Sequence, residues 1–491
     1  MSNTQNSTDA IIIGGGHNGL VCAYYLASKG LKVNIFERRS IIGGAAVTEE
    51  FHPEFKNSVA SYTVSLLNPE IIKEMKLKEY GLKIVKRPIS NFLPIDDKTY
   101  LKLGGGLERT QEEFKKFSEK DAARLPEYYD RIEAVADVLR DISVKTPPNP
   151  KKGIKAVLGA ALQLWPIATK GNQVHRDVYD LFTKSARSFL DSWFENEHIK
   201  AAFGFDSTVG NFASPDTPGS AYVLLHHVFG EIDGEKGVWG HAIGGMGAIT
   251  QAMEKACKNM GVKIFTDAPV NKVIVKDNAA VGIELEDGSS IVANKIISNL
   301  NPKLLYKKLI SEDELEPEFN RGMDGYKCGS GTFRMNVALA ELPDFSVLPG
   351  KEVGEHHQSG IVIAPTLDYM DKAYIDAKSQ GWSSAPIVEM LIPSTIDNTL
   401  APDGKHVASL FCQQFSPTMP DGSSWHDHRL AAADTIIETV TKHAPNFRES
   451  ILGMMILSPL DLEEKFGLIG GDIMHGQMSL DQMWAARPLM N

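Results

Sequence analysis

Apolar positions near the start of the chain fall in blocks. Ala10-Ile11-Ile12-Ile13 is a short continuous apolar run, and Leu31-Lys32-Val33-Asn34-Ile35-Phe36 is a second. Both are too short for helices and suit strands buried on two faces of a parallel sheet. Between them Leu20 to Ser28 has helical character, and Gly30 sits where a helix-ending glycine belongs. The opening therefore reads strand, turn, helix, strand. From Glu70 to Glu235 the pattern changes to charged amphipathic helices, for example Glu112 to Lys120 and Leu125 to Asp141, broken by Pro147-Pro148-Asn149-Pro150. Mixed α/β character returns at Gly244 to Asn299. There a helix is expected near Ala248 to Asn259, strands at Val262 to Phe265, Val273 to Val275 and Ala280 to Leu285, and an Asp287-Gly288 turn before Ile291 to Ile297. Beyond residue 300, strands at Thr332 to Ala338, Ile387 to Leu391 and Val407 to Gln413 accompany a helix at Arg429 to His443. No repeat of fixed period interrupts this.

Composition narrows the class. The 491 residues are 43% hydrophobic and 23% charged, which fits a globular protein with a large core and excludes disorder or a small disulfide scaffold. A net charge of −11 argues against nucleic acid as a partner, since such binding needs a basic surface. The four cysteines, Cys22, Cys257, Cys328 and Cys412, form no CxxC pair, so neither a zinc knuckle nor a thiol relay is expected. Met1 to Thr8 lacks the pattern of a secretory or transit signal, and no run reaches the ~18 apolar residues of a spanning helix. A cytoplasmic location is expected.

The chemistry concentrates in one motif. Gly14-x-Gly16-x-x-Gly19 follows a predicted strand and opens a predicted helix, and Glu37 stands at the end of the next strand. This is the arrangement of a dinucleotide site. The first glycine permits a tight turn, the second lets backbone approach a pyrophosphate, and the third lets helix pack on strand, while the helix N-terminus offers free N–H groups. Glu37 would accept from ribose hydroxyls, and an acid there disfavours a 2′-phosphate. On these residues alone FAD and NAD both remain.

Past Glu37, Arg38-Arg39 and then Gly43-Gly44-Ala45 supply a basic pair and a second glycine turn. That combination resembles the two-dinucleotide-binding-domain flavoproteins. With Gly16-His17-Asn18-Gly19-Leu20, Gly244-Gly245-Met246-Gly247 and Gly470-Gly471-Asp472-Ile473-Met474-His475-Gly476, the resemblance sharpens to the phytoene desaturase-like flavoproteins, from Ala10 to Pro488. It implies an α/β protein with a Rossmann-type FAD-binding domain and an inserted mixed α+β substrate domain. The expected division is 1–75 and 236–300 for the FAD domain, 76–235 for a helical substrate- or membrane-facing region, 301–460 for the substrate domain, and 461–491 for the start of a last FAD-binding part. Carried over, Gly14, Gly15, Gly16, His17, Asn18 and Gly19 would surround the FAD pyrophosphate, Glu37 the ribose, Arg38, Gly43, Gly44 and Ala45 the neighbouring phosphate and flavin edge, and the Val270 backbone the adenine. His241 and His475 are placed near the flavin. The family's final glycine-rich segment and helix would follow Arg487-Pro488, whereas this chain stops at Asn491. Two expectations follow: a fragment, or an open pocket that holds FAD weakly.

The activity implied is oxidation, desaturation or isomerisation of a hydrophobic, polyene or isoprenoid substrate. A flavin amine oxidase and a non-catalytic relative that acts through interactions are the alternatives. No GxSxG, HExxH or P-loop motif competes. Residues 142–176 carry Lys145, Lys151, Lys152, Lys155, Lys170 and Arg176 with no acid, around the apolar run Ala156 to Ala168. This segment suits either peripheral contact with a membrane or a buried helix with a solvated basic flank. His356-His357 and His426-Asp427-His428 lack a third ligand at recognisable spacing, so no metal is expected.

Overall fold

A computed structural model of the chain describes residues 8–143 and 168–483, together with residues 145, 146, 153, 158, 159, 161, 162, 165 and 487. Lys151, Lys152, Lys155 and seven of the thirteen residues of the apolar run Ala156 to Ala168 lie outside the described residues.

The strand Thr8–Ile13 is the centre of a six-stranded sheet. It pairs in parallel with Val33–Phe36 on one side and Ser290–Ser298 on the other, and Lys263–Phe265 extends the parallel part beyond Val33–Phe36. Ala279–Leu285 and Val270–Lys276 then add antiparallel as a meander turned at Gly288. The unbroken apolar run is explained by cover on both faces. On one, Leu20, Ala23 and Ala27 of the helix His17–Ser28 pack with Ile249, Ala252 and Met253 of the helix Gly247–Asn259 around Ile12 and Ile35. On the other, Ile11, Ile13 and Phe36 meet Val273 and Ile283 of the meander. Ile11 and Ile12 are fully buried, each contributing roughly 1.5–3 kcal/mol.

A seven-stranded sheet forms the second layer system, in the order Ile451–Leu457, Phe333–Leu339, His406–Phe415, Trp382–Leu391, Gly360–Ile363, Asn91–Pro94 and Tyr100–Leu103. Its last two strands add a short sheet contribution to residues 76–235, whose regular structure is otherwise largely helical as expected. Asn91 and Phe92 pair in parallel with Gly360 and Ile361, and Ile84–Lys86 pairs with Gly240–Ala242. These runs are only three or four residues long, too brief for a period to be read. The helical part begins at Leu107–Lys115 and Glu119–Ser143. One helix was expected across this junction from Glu112 to Lys120, but the Ser118 hydroxyl accepts from the Asp121 N–H at 3.1 Å and starts a second.

Helices cover both faces of this sheet. Phe114, Leu125, Tyr128 and Phe203 pack onto Val362, Ile387 and Phe411 on one face. Trp425, Ile436 and Val440 of the helix Trp425–His443 pack onto Phe333 and Phe415 on the other. No helix among the described residues is long and apolar enough to cross a membrane.

Candidate functional site

The first parallel strand ends at Gly14, whose φ of +96° turns the chain while its N–H donates to Phe36 O at 2.9 Å. A second loop closes on the first: the Gly43 N–H donates to Gly15 O at 3.0 Å, and Gly16 and Gly43 form a parallel bridge. Side chains have no room here. A Cβ on Gly19 would lie 2.4 Å from Gly14 O, one on Gly44 3.2 Å from Gly16 Cα, and one on Gly16 2.9 Å from Asn299 Nδ2. Helix His17–Ser28 starts from this double loop, so its first N–H groups have no intrahelical acceptor.

The loops border a cleft of about 340 Å³. Of the sequence candidates, Gly14, Gly16, His17, Asn18, Glu37, Arg38, Gly44, Ala45 and Val270 line it. Gly15, Gly19 and Gly43 do not reach its surface and serve the packing behind it. Buried Glu37 accepts from the Gly15 N–H at 2.8 Å and the Arg39 N–H at 2.9 Å, which fixes its carboxylate at the end of its strand. The basic pair divides its work in a way the sequence did not indicate. Arg38 Nη2 donates to Glu464 O at 3.1 Å and Lys465 O at 2.9 Å, capping the helix Pro459–Phe466. Arg39 pairs with Glu49, lies over the Phe466 ring at 5.0 Å and borders the cleft, and its buried Nη1 has no hydrogen-bond partner among the described residues. Arg39 is thus the residue the sequence reading passed over. Asn299 and Lys308 also border the cleft. Asn299 stands just past the end of Ser290–Ser298, and the rule that ligands gather at the carboxyl ends of parallel strands points to it.

A second cavity, about 420 Å³, continues from the first and shares His17, Asn18, Ala45, Leu468 and His475 with it. Its walls include Tyr62, Met246, Ile249, Met253, Trp239, Phe411 and Ile473, and among the described residues none that lines it is Asp, Glu, Lys or Arg. His17 and His475 stand where the two hollows meet, and burial lowers both pKa values. His475 adds to the fall at His17, and Arg487 adds to it at His475, so both rings are neutral at pH 7. His475 has φ +58°, and its loop is held by Asp472, which accepts from the Gly329 N–H at 2.7 Å and the Met474 N–H at 2.8 Å.

His241 and the Gly244 loop behave differently from expectation. His241 lines neither hollow; it is buried and bonds Asp397 Oδ2 at 2.9 Å. Gly244 donates its N–H to the same oxygen at 2.7 Å, and the Gly247 N–H donates to Thr48 Oγ1 at 3.0 Å, so this segment anchors the start of its helix while Met246 alone reaches the cavity. A third ligand does come near one histidine: His426, Asp461 and Glu464 bring ligand atoms within 4.8 Å of one another. Arg429 already occupies Asp461 at 2.6 Å, and Asp461 also closes the capping box at Ser458. A larger hollow of about 680 Å³, bordered by Arg87, Gly105 and His227, shares only Trp239 with the apolar cavity and none of the fingerprint residues.

Comparison with known proteins agrees with this geometry. A family model of flavin containing amine oxidoreductases matches residues 19–332. The chain is 38% identical to the rat pyridine nucleotide-disulfide oxidoreductase domain-containing protein 2, over 98% of this chain and 86% of that one. It is 23% identical to a limonene dehydrogenase polypeptide of Castellaniella defragrans (98% and 87% covered) and 23% to the lycopene-forming phytoene desaturase of Pantoea ananas (97% and 90%). Among solved structures, an oxidoreductase from Methanosarcina mazei shares the fold with a TM-score of 0.58 at 16% identity, over 92% of this chain and 88% of that one.

FAD is the cofactor these relationships give, and the residues fit it. A glycine cradle that any Cβ would fill, free N–H groups of a helix start, a buried carboxylate at the ribose position and an unpaired buried guanidinium N–H all border one cleft.

Proposed function

We propose, for a chain that belongs to the flavin containing amine oxidoreductase family, that its FAD-dependent oxidation acts on a neutral hydrophobic molecule held in the apolar cavity. FAD when bound supplies the two-electron acceptor. The protein does the rest. The Gly14–Gly19 loop and first helical turn would bind the pyrophosphate, Glu37 the adenosine ribose, Arg39 the phosphates, the Val270 backbone the adenine, and Gly44 and Ala45 the stretch that leads to the apolar cavity.

One observation carries the choice of substrate. The cavity that continues from the cofactor cleft is walled mainly by aliphatic and aromatic side chains, with neutral polar groups such as Ser61, Thr63 and Asn68 among them, and has no carboxylate in its lining among the described residues, so an ammonium ion entering it would shed its water with no counter-charge in direct contact. A hydrocarbon gains from the same move. The names limonene dehydrogenase and phytoene desaturase, borne by distant relatives, point to substrates of this kind. The amine reading rests on the family's own description. Anaerobic mixing of the FAD-loaded protein with limonene or phytoene in detergent, and separately with putrescine and benzylamine, distinguishes them. Bleaching of the visible flavin band by the terpenes supports the proposal. Bleaching by the amines alone overturns it, and bleaching by none of them favours the non-catalytic relative.

We also propose that residues 142–176 rest on an anionic membrane surface, from which such a substrate would be drawn. Leu158, Leu162 and Trp165 are helical, 60%, 74% and 64% exposed, and spaced to share one helix face. Exposed Lys145, Lys170 and Arg176 flank them. Apolar exposure beside positive charge, in a stretch of sequence without an acid, is the signature of an interfacial segment.

A further inference from the structure

Behind the wall of the apolar cavity the large sheet carries a buried polar row. Strand pairing sets Arg334 opposite Phe411 and Phe411 opposite Glu389, so three neighbouring strands present these side chains at one level. Tyr62, in the loop after the strand Phe55–Ser58, lies across the row. Its ring stacks on Phe411 with centroids 5.2 Å apart, the Arg334 guanidinium sits 4.6 Å from its centroid, and its hydroxyl donates to Glu389 Oε2. Tyr62 and Phe411 line the cavity, whereas Glu389 and Arg334 stand behind them.

We propose that Tyr62 and Glu389 form the proton-accepting pair of this cavity, with the Tyr62 hydroxyl taking the substrate's proton while it passes its own to the Glu389 carboxylate. This rests on the reading that a substrate is oxidised there. The balance is complete. One hydrogen leaves the substrate with its electron pair to oxidised FAD, the oxidant. The bond to a hydrogen on the neighbouring atom breaks the other way, its electrons forming the new double bond and its proton joining the Tyr62 oxygen. The phenolic proton moves at once to Glu389.

Electrostatics favours this coupled order over a free phenolate. Burial raises the Tyr62 hydroxyl far above its ordinary range, and Glu389 raises it further, against the opposing pull of Arg334 and Arg87. Tyr62 therefore gives up its proton only as it gains one. Burial also raises the Glu389 carboxyl, with Asp206 adding to the rise, while Arg87, the Tyr62 hydrogen bond and His226 oppose it. A carboxylate so placed is a stronger proton acceptor than one in water. Arg334 fits a role beyond packing: it is 1% exposed, and among the described residues only its Nη2 is hydrogen-bonded, to Ser409 Oγ at 2.8 Å, while its Nε and Nη1 have no partner. Its charge over the ring steadies the negative charge that grows on the tyrosine oxygen during transfer. Tyr62 is then the catalytic residue, and Glu389 and Arg334 are positioning residues that act through it.

The test needs no substrate. The midpoint potential of the bound FAD is measured by equilibrium reductive titration between about pH 5 and 9, in wild type, Glu389→Gln and Tyr62→Phe. Wild type should show one more break in its slope against pH than Glu389→Gln, because the negative charge that reduction would add to a flavin beside this cavity would raise the Glu389 carboxyl behind its wall and so link the two events. Tyr62→Phe should keep that break and move it to higher pH, since the hydrogen bond to the charged carboxylate is gone. Should Glu389→Gln not fold, the shift in Tyr62→Phe decides alone. Identical breaks in wild type and the variants overturn the proposal while leaving FAD-dependent oxidation standing. A wild-type chain that holds no FAD instead counts against the function itself.

Discussion

Replacing Asp397 by Asn should cost about 2 to 3 kcal/mol of stability at neutral pH. Asp397 is fully buried in the turn that leaves the large sheet, and it binds the segment that begins the helix behind the glycine cradle. Burial alone would raise its carboxyl, but His241, Thr399 and the Gly244 and Thr399 N–H groups bring it down from 3.8 to about 2. At about 1.4 kcal/mol per pH unit, that difference gives about 2 to 3 kcal/mol. Because the folded value lies below the unfolded one, the contribution is fully present above about pH 4 and is lost as the pH falls through about 2. The assay is urea unfolding of wild type and Asp397→Asn, followed by tryptophan fluorescence at several values between about pH 5 and 8. The difference in unfolding free energy should be constant across that range. A difference below about 0.5 kcal/mol throughout would refute the reasoning, since the carboxylate would then titrate alike in the folded and unfolded chain or bear no load.

Other outcomes follow from the cleft and the surface. Gly16→Ala puts a Cβ 2.9 Å from Asn299 Nδ2 in the cradle, and the purified variant should be colourless while its circular dichroism matches wild type. Arg39→Gln removes the one buried guanidinium N–H that lacks a partner among the described residues of the cleft, and should weaken FAD by roughly 1.5–3 kcal/mol, about ten- to a hundredfold in Kd by fluorescence titration. Arg38→Gln, which uncaps a helix instead, should leave that Kd within about threefold and lower the Tm. Co-sedimentation with vesicles of phosphatidylcholine and phosphatidylglycerol should fall with added salt, and should be lost in a Leu158→Ser, Leu162→Ser, Trp165→Ser variant. Equal pelleting of both proteins removes the membrane contact.

Legibility in the sequence tracked locality. The opening strand, glycine turn and helix could be read because each signal lies within a few residues of the next, and Ile11 to Ile13 are apolar without alternation because both sheet faces are covered. Strands of three or four residues between Ile84 and Leu103 carried no period, and the partners of the first two, at Gly240 and Gly360, are more than a hundred residues away. Adjacent residues can also part company. Arg38 and Arg39 look alike in the sequence, yet one turns to a helix end and the other to the cleft, a choice fixed by where the helix Pro459–Phe466 packs. Histidines misled for the same reason: His241 sits three residues from a glycine turn next to the site, but strand pairing with Ile84–Lys86 points its ring to Asp397. The row Arg334, Phe411 and Glu389 exists only through sheet register, and no local motif marks any of the three.

The most direct test of the central claim is the visible absorption spectrum of the purified chain, followed by the mass of whatever heat or acid releases. The account predicts a flavin band in the protein and the mass of FAD in the released fraction, both absent from Gly16→Ala. A colourless wild-type protein that also fails to take up added FAD would contradict it, because the cradle, the Glu37 carboxylate and the free Arg39 N–H would then have no ligand to explain their arrangement.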